Sequence, residues 1–340
     1  MIEAWTGRVC AGEDLTRDEM QAAVHAIMQG TCSDGTIAAL LTGLAHKGET
    51  VEEIAGAADA MRAHMTPVRT DLAGVLDTCG TGGTGSKLLN VSTTAALVAA
   101  AAGVPVAKHG NRSVTSRTGS ADVLEALGVR IDAPVDVVEA CLRDAGICFC
   151  FARTLHPAMR HVAPVRAKLG MRTIFNLLGP LSNPAGAQFQ LLGTGDDETR
   201  SKLASALLLL KVQRAVLVTG EDGLGEATLT GNTAVTIAEN GRLEQQTWAP
   251  GDFGLAAQSL ASLEVQNAAE SAAKIKAVLG GERGAARDMI LLNAGAALWT
   301  AGRDASLARC AEQAAEAIDS GAAADTLARL VDVSNKAADE

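Results

Sequence analysis

Two polar loops in the first half of the chain each follow a short apolar segment, and together they limit what the chain can fold into. The first is GTGGTG at residues 80–85, and the second is KHGNRS at residues 108–113. Glycine allows a backbone to approach an anion closely, with its N–H groups pointing inward. One such loop is weak evidence. Two in succession predict a substrate that carries more than one phosphate.

A helix is predicted soon after the first loop, and its start adds to the same site. Ser92 and Thr93 lie in NVST, at the beginning of an alanine-rich segment. A helix N-terminus offers free amides and a partial positive charge to an anion. Ser92 can also act as a helix cap, and the two roles are compatible. Lys108 ends the next predicted strand, so we expect it at the same edge of the sheet.

The first loop also fits two familiar nucleotide-binding motifs in part. Its glycines satisfy G-x-G-x-x-G, but a dinucleotide site needs an acidic residue about 20 positions further on. Residues 99–108 contain no acid and end in a lysine. A Walker A loop needs Gly-Lys followed by a hydroxyl residue, which GSKL at 85–88 lacks. A different phosphate site is therefore favoured, with the dinucleotide site as the alternative.

The distribution of charge argues against a general polyanion binder. The formal net charge is −10, with 5 Phe, 3 Trp and no Tyr, whereas nucleic-acid binding relies on cations and aromatic stacking. Positive charge is concentrated locally instead. Residues 145–195 contain no Asp or Glu but include Arg153, Arg160, Arg166, Lys168 and Arg172. A local positive field in an acidic chain predicts a site for a small anion.

The chain divides into a helical beginning and a longer alternating part. Residues 1–66 look helical, with the capping pattern TRDE at 16–19 before apolar residues at helical spacing. From Gly74 strand and helix patterns alternate, which predicts an α/β fold with a mostly parallel central sheet. We expect a small N-terminal helical domain at 1–70, joined by part of 165–185, and a larger α/β domain at 71–340.

The individual elements of the alternating part can be placed from the same patterns. We expect strands at 75–76, 104–107, 147–151, 188–193 and 215–219, and helices at 92–102, 120–127, 135–145, 197–210 and from about 264 onward. The seven cysteines are scattered without a CxxC pair. With no signal peptide and no apolar run of membrane-spanning length, this favours a reduced, cytoplasmic compartment.

Six segments in this order closely resemble the anthranilate phosphoribosyltransferase family. They are GTGG at 80–83, NVST at 90–93, KHGNRS at 108–113, GSAD at 119–122, HPAMR at 156–160 and RTIFNLLGPL at 172–181. The resemblance covers nearly the whole chain. It implies a nucleoside-phosphorylase-like fold, a small α domain hinged to an α/β domain, and a homodimer formed through the helical part. It also implies transfer of the phosphoribosyl group of 5-phosphoribosyl 1-diphosphate to anthranilate in tryptophan biosynthesis.

This chemistry agrees with the residue types in the loops. Loss of diphosphate from an anomeric carbon passes through an oxocarbenium-like transition state, so the enzyme must stabilise the departing anion and align the nucleophile. An arylamine is already neutral at cellular pH. No strong base is needed, and none is assigned here as a catalytic acid or base.

The resemblance implies three sets of site residues. Phosphoribosyl diphosphate would contact Gly80, Gly82, Gly83, Thr84, Asn90, Val91, Ser92, Thr93, Lys108, His109, Gly110, Asn111, Arg112, Ser113, Ser116 and Ser120. Anthranilate would contact Gly80, Asn111, His109, His156 and Arg166, with Arg166 pairing to the carboxylate through its guanidinium fork. His109 and His156 could equally be hydrogen-bonded structural residues. The cofactor Mg²⁺ would be held by Ser92 and Glu226.

The chain departs from the family pattern at phosphate and metal positions. Thr84 replaces an Asp, Leu88-Leu89 replaces Thr-Phe, Arg153 replaces a Pro, and Gly225 replaces the first acid of an Asp-Glu pair. Mg²⁺ tolerates water in its shell, so losing one carboxylate weakens the site without abolishing it. Glu221 or Asp222 could compensate, or form an acidic surface turn. The alternatives are therefore a paralogue with another acceptor or weak activity, and a non-catalytic phosphometabolite sensor.

Overall fold

The computed structural model of the chain describes residues 1–82, 86–113 and 117–336. The helices are α1 Ile2–Cys10, α2 Arg17–Met28, α3 Asp34–Lys47, α4 Val51–Ala63, α5 Val91–Ala101, α6 Ser120–Ala126, α7 Val135–Ala145, α8 Ala152–Leu155, α9 Ala163–Leu169, α10 Phe175–Leu178, α11 Asp197–Leu209, α12 Ala268–Leu279, α13 Ala285–Thr300, α14 Leu307–Asp319 and α15 Ala322–Ser334. The strands are β1 Leu76–Gly80, β2 Val106–Gly110, β3 Ile147–Phe151, β4 Phe189–Gly193, β5 Arg214–Gly220, β6 Thr233–Glu239 and β7 Arg242–Trp248. Short 3-10 helices lie at Pro157–His161, Pro250–Phe253 and Ala261–Leu263.

Two helices of the N-terminal part, α2 and α4, begin with a capping box. Thr16 accepts a hydrogen bond from the Glu19 N–H at 3.3 Å, while the Glu19 carboxylate accepts one from the Thr16 N–H at 3.0 Å. This is the capping box that the sequence pattern predicted. Thr50 and Glu53 form the same arrangement at the start of α4. Helix α2 packs against α4, and α1 packs against α3.

The remaining chain forms a seven-stranded sheet in the order β3-β2-β1-β4-β5-β6-β7. Strands β1 to β5 pair in parallel, which confirms the predicted mostly parallel sheet. The hairpin of β6 and β7 adds antiparallel strands at one edge. The second strand begins at Val106 and not at Val104, because Pro105 has no N–H for a ladder bond.

Apolar side chains are buried in two clusters. One joins the sheet to helices such as α5, α7, α12 and α13. The other joins the N-terminal helices to α11 and the opposite side of the sheet. Val165, Phe175 and Leu178 belong to this second cluster, so α9 and α10 pack with the N-terminal helices although they follow β3 in the chain.

The pairing of β1 with β2 is short, so their hydrogen-bond ladder is open near the carboxyl edge. The two strands share only the pair Leu76–Val106, whereas β1 and β4 pair from Leu76 to Gly80. Side chains therefore have to complete the contact between β1 and β2. No helix in the described part of the chain is both long and apolar enough to cross a membrane.

Candidate active site at the carboxyl ends of the strands

Several strands end side by side in glycine. Gly80 ends β1, Gly110 ends β2 and Gly193 ends β4. A Cβ on Gly193 would collide with the Gly225 carbonyl, so the loop after β5 lies directly on the end of β4. The first loop leaves β1 through Gly82, whose φ of +66° suits glycine. Gly83, Thr84 and Ser116 lie outside the described residues, so their predicted roles stay predictions.

Lys108 is buried at this edge, with an exposed fraction of 2%. Its ammonium donates to the carbonyl oxygen of Thr78 and to the Ser92 hydroxyl, the latter at 3.3 Å. Burial lowers the pKa of Lys108, and the neighbouring Asp77 carboxylate opposes that effect. A cation with neutral direct partners has charge to offer to an anion. The structure thus places Lys108 beside Ser92, as the sequence predicted.

The start of α5 faces the same edge with unused donors. Among the described residues, the backbone N–H groups of Ser92 and Thr93 have no hydrogen-bond partner. The Thr93 hydroxyl is buried and also lacks a partner there. Such groups are costly to leave unsatisfied. They are therefore candidates for binding an anionic ligand.

The side chain of Asn90 is hydrogen-bonded to other residues of the chain. Its amide donates to the Thr118 carbonyl at 3.3 Å and accepts from the Ser271 hydroxyl at 2.8 Å. These bonds tie the start of α5 to the second loop and to α12. The neighbouring Leu89 is buried, and its N–H donates to the Leu263 carbonyl at 2.9 Å. The leucine departure from the family pattern therefore contributes to the core.

The second loop is held by an acid on the helix that follows it. The Asp122 carboxylate accepts from the N–H groups of Ser113 at 3.0 Å and Gly119 at 2.9 Å. Arg112 donates to Asp122 at 3.0 Å and to Glu125 at 2.9 Å and 3.0 Å. The charge of Arg112 is therefore largely neutralised. To bind a diphosphate, Arg112 would have to exchange these carboxylates for phosphate oxygens.

Ser120, Gly110 and Asn111 form the base of this loop. The Ser120 hydroxyl donates to the Asn111 carbonyl at 3.3 Å. A Cβ on Gly110 would overlap the Ser120 hydroxyl, so the glycine is required by close packing. The side chain of Asn111 is exposed and accepts from the Arg112 N–H at 2.8 Å. These predicted residues are thus brought together with Lys108 at the end of β2.

His109 and His156 form a buried pair. The Nδ1–H of His109 donates to the Gly179 carbonyl at 2.9 Å, and the Nε2 atoms of the two rings are 3.2 Å apart. Burial lowers the pKa of His109 to about 3, helped by the nearby His156, and burial lowers the pKa of His156 to about 4. Both rings are therefore neutral near pH 7. Their hydrogen bonds agree with the structural alternative, while contact with an aromatic ligand stays a prediction.

This pair predicts a loss of stability in acid. Because each folded-state pKa lies below the unfolded value near 6.5, only the unfolded chain takes up protons as the pH falls below about 6.5. Each histidine should therefore cost about 2 kcal/mol of unfolding free energy between pH 7 and pH 5. Urea unfolding at the two pH values measures this. The variant His109→Gln/His156→Gln should show a shallower pH dependence; an equal slope would contradict the assignment.

Arg166 lies in α9 with no acidic partner among the described residues. Its guanidinium donates to the Asn176 side-chain oxygen at 3.3 Å and lies 5.7 Å from the centroid of the Phe175 ring. Burial lowers the pKa of Arg166. Arg153, Arg160 and Arg172 are exposed and also lack ion pairs within the described ranges, whereas Lys168 pairs with Asp34 at 3.0 Å. The predicted positive field is therefore largely uncompensated.

Glu226 lines a small pocket together with Thr78, Ser92, Gly193 and Gly225. Its carboxylate makes no hydrogen bond to any residue that the structure describes, and burial, followed by repulsion from Asp222, raises its pKa to about 7. Nearby Lys108 opposes that rise, but Glu226 makes no ion pair with a described residue. A carboxylate of this kind beside a hydroxyl is a suitable donor set for a hard cation. The described residues contain no group of three or more acidic, His or Cys side chains that could hold a metal. A cation here would rely on few protein ligands.

Glu221 and Asp222 form hydrogen bonds within the loop that joins β5 to β6. Glu221 accepts from the Asn232 N–H at 2.9 Å. Asp222 accepts from the hydroxyls of Thr228 at 2.6 Å and Thr230 at 2.8 Å. Both carboxylates are thus used in the turn, which agrees with the acidic-turn alternative and not with compensation for Gly225.

The structure also reveals residues that sequence reasoning missed. Asp77 is fully buried and accepts from the His109 N–H at 3.0 Å and from Asn183 Nδ2 at 2.8 Å. Asn293 bonds both the N–H and the carbonyl of Ala227, at 3.1 Å and 2.9 Å, and so fixes the residue next to Glu226. A lone acid inside the apolar strand DTCG was the only available signal for Asp77.

Comparison with known proteins places both parts of this architecture in one class. A family model described as glycosyl transferase family, helical bundle domain, matches residues 5–65. A second, described as glycosyl transferase family, a/b domain, matches residues 72–324. Both parts of the chain thus have the architecture of a glycosyl transferase family.

Individual relatives narrow this class. The chain is 49% identical to anthranilate phosphoribosyltransferase of Rhodopirellula baltica over 94% of each protein, and 49% identical to that of Thermomicrobium roseum over 100% of this chain and 99% of the relative. The crystal structure of the Thermus thermophilus enzyme matches with a TM-score of 0.91, 43% identity and coverage of 97% of this chain and 99% of that one. The yeast enzyme in complex with PRPP and Mg matches at TM-score 0.89 and 27% identity, over 98% of this chain and 97% of that chain. The chain belongs to the anthranilate phosphoribosyltransferase family.

Proposed function

We propose that this chain transfers the phosphoribosyl group of 5-phosphoribosyl 1-diphosphate to anthranilate, giving N-(5-phosphoribosyl)anthranilate and diphosphate in tryptophan biosynthesis. The observation that carries this proposal is the Lys108 ammonium beside the unused amides of Ser92 and Thr93. A lysine and a helix N-terminus at one edge can stabilise the negative charge that develops on departing diphosphate. The identity of the two substrates is inferred from membership of the family.

The diphosphate half of the site would be formed by the ends of β1 and β2. Lys108 would exchange its bond to Ser92 for phosphate oxygens, and the Thr93 hydroxyl would gain the partner it lacks. The first loop, Asn90, Val91 and the second loop would complete the cradle, including Gly83, Thr84 and Ser116. These contacts strengthen as the bond to the leaving group breaks, so they lower the barrier as well as bind substrate.

The acceptor half would be organised by Arg166. Its guanidinium has no carboxylate partner among the described residues, so the carboxylate of anthranilate would complete its fork. The neutral arylamine attacks without prior deprotonation. His109 and His156 are neutral and hydrogen-bonded to each other, which fits a lining role for them beside Gly80 and Asn111 and not proton transfer.

Ser92 and Glu226 are the residues that would hold Mg²⁺ in this chain. Both line the same pocket, and the Glu226 carboxylate makes no ion pair with any residue that the structure describes. Bound Mg²⁺ would neutralise diphosphate charge as it accumulates. Because Gly225 adds no carboxylate, substrate oxygens and water would supply most of the remaining ligands.

Restoring an acid at Gly225 should strengthen this site. We expect Gly225→Asp to lower the Mg²⁺ concentration required for half-maximal rate by about 3- to 10-fold, because a second carboxylate joins Glu226 in the pocket. A Mg²⁺ titration of initial rates at saturating substrates measures the effect. As the control, Gly251→Asp adds the same acid at an exposed glycine with open space around it and should leave the Mg²⁺ requirement unchanged. An unchanged requirement in Gly225→Asp would contradict metal binding at Glu226.

Turnover decides between the proposed function and its alternatives. Anthranilate fluorescence should fall when purified chain, phosphoribosyl diphosphate and Mg²⁺ are combined. A paralogue with another acceptor would bind phosphoribosyl diphosphate in calorimetry but leave the fluorescence constant. A sensor would do the same and consume no phosphoribosyl diphosphate with any amine tested.

Three further features belong to this proposal. The helical domain would span 1–70 with part of 165–185, which is supported by the packing of Val165 and Phe175 with the N-terminal helices. The chain would act as a homodimer through this domain. It would function in the cytoplasm.

A further inference from the structure

Strands β1 and β2 are joined at the active-site edge by side chains instead of a ladder. After the pair Leu76–Val106 the two strands form no further ladder pair. On one face Lys108 reaches across to the Thr78 carbonyl, and on the other Asp77 accepts the His109 N–H at 3.0 Å. Successive side chains of a strand point to opposite faces, so these two bridges secure both faces of the opening.

Asn183 extends the second bridge to another segment. Its Nδ2 donates to Asp77 at 2.8 Å and to the Ala107 carbonyl at 2.8 Å, and its Oδ1 accepts from the Ala185 N–H at 2.9 Å. Both Asp77 and Asn183 are buried, with exposed fractions of 0% and 6%. Only an amide supplies this combination of donors and acceptor, because a carboxylate at position 183 would face both Asp77 and Ala107 oxygens.

The segment that Asn183 anchors also contacts the acceptor half of the proposed site. Its Gly179 carbonyl accepts from His109 at 2.9 Å, and its Asn176 side chain accepts from Arg166 at 3.3 Å. Hydrogen bonds, together with the chain from 176 to 183, therefore link β2, which bears Lys108, to Arg166.

We propose that Asp77 and Asn183 are a pair of positioning residues that sets the distance between the diphosphate half and the acceptor half of the site. The proposal rests on the proposed function, because the two halves are defined by its substrates. Neither residue touches substrate. They act on the alignment of the two substrates. The rate of a two-substrate displacement is sensitive to this alignment, and a substrate misplaced by about 1 Å can react about 100-fold more slowly.

Single-turnover kinetics with enzyme in excess separates alignment from folding. The amplitude reports the active fraction, and the rate constant reports alignment in the molecules that are folded. We expect Asp77→Asn and Asn183→Ala each to lower the rate constant about 10- to 100-fold, with less than about 3-fold change in the affinity for either substrate. The double variant should be no more than about 3-fold slower than the slower single variant, because the pair acts as a unit.

The matched control is Glu53→Gln, which alters another fully buried carboxylate. Glu53 accepts from the Leu15 and Thr50 N–H groups at 2.9 Å each, far from the site in the helical part. It should reduce the amplitude or the stability but leave the rate constant unchanged. Unchanged rate constants in Asp77→Asn and Asn183→Ala, or additive effects in the double variant, would overturn the proposal.

Hydrogen exchange keeps this test separate from the test of the proposed function. In Asp77→Asn, amides at 106–110 and 176–186 should lose protection together, whereas Glu53→Gln should affect neither segment. If the unchanged chain fails to consume anthranilate, the proposed function fails, and joint loss of protection still supports a shared anchor. If only one of the two segments loses protection, the proposal that Asp77 and Asn183 act as a pair is wrong, whether or not the chain consumes anthranilate.

Discussion

Replacing Lys108 with Met should reduce kcat/KM for phosphoribosyl diphosphate by about 100- to 1000-fold, a range typical for removal of one charge-stabilising donor. The side chain is buried, and among the described residues its ammonium bonds only to the oxygens of Thr78 and Ser92. Methionine keeps most of the length and apolar volume while it removes the charge. The unused amides of α5 would remain, so residual binding is expected. Steady-state rates at fixed anthranilate measure the loss.

The control for this change is Lys276→Met, which removes an exposed lysine from α12. Both variants should unfold at a similar urea concentration if Lys108 serves the reaction more than the fold. An activity within about 3-fold of the unchanged chain in Lys108→Met would show that the departing anion is stabilised elsewhere. Equal losses of activity in Lys108→Met and Lys276→Met would indicate an effect of the net charge of the protein, and not of Lys108 itself.

Arg166→Ala should act on the other substrate. We expect the KM for anthranilate to rise about 10- to 100-fold, the range that corresponds to the loss of a charge-assisted hydrogen bond, while the KM for phosphoribosyl diphosphate stays within about 2-fold. Arg166→Lys should recover little, because an ammonium cannot reproduce the planar fork. Initial rates with each substrate varied in turn separate the two constants.

Arg172→Ala is the matched control, because Arg172 lies in the same acid-free segment but is exposed. It should leave both constants nearly unchanged. An effect of Arg166→Ala on phosphoribosyl diphosphate alone would mean that Arg166 belongs to the diphosphate half of the site.

The parallel strands could be predicted because their residues are apolar and lie between helical patterns. The strand Ile147–Phe151 is buried at every position and was placed at its observed bounds. The hairpin of β6 and β7 was missed. Strand β7 reads RLEQQTW and is mostly exposed, so it lacks the apolar pattern that marks a strand. Its conformation depends on pairing with β6.

The candidate site was predictable where a motif stands in continuous sequence. Lys108 was expected at the end of one strand, and Ser92 at the start of the helix that follows another strand of the same parallel sheet. Their contact at 3.3 Å agrees, although Lys108 lies within β2. The engagement of Arg112 by Asp122 and Glu125 was not anticipated, since it depends on how the second loop folds back onto α6. Asp77 and Asn183 meet only through the tertiary fold, so no local pattern could pair them.

A crystal structure of the chain soaked with 5-phosphoribosyl 1-diphosphate and Mg²⁺ tests the central claim most directly. The account predicts diphosphate oxygens within hydrogen-bond distance of the Lys108 ammonium and of the Ser92 and Thr93 N–H groups, about 2.7–3.2 Å. Ligand bound at another place, or an empty strand edge at saturating ligand, would contradict it.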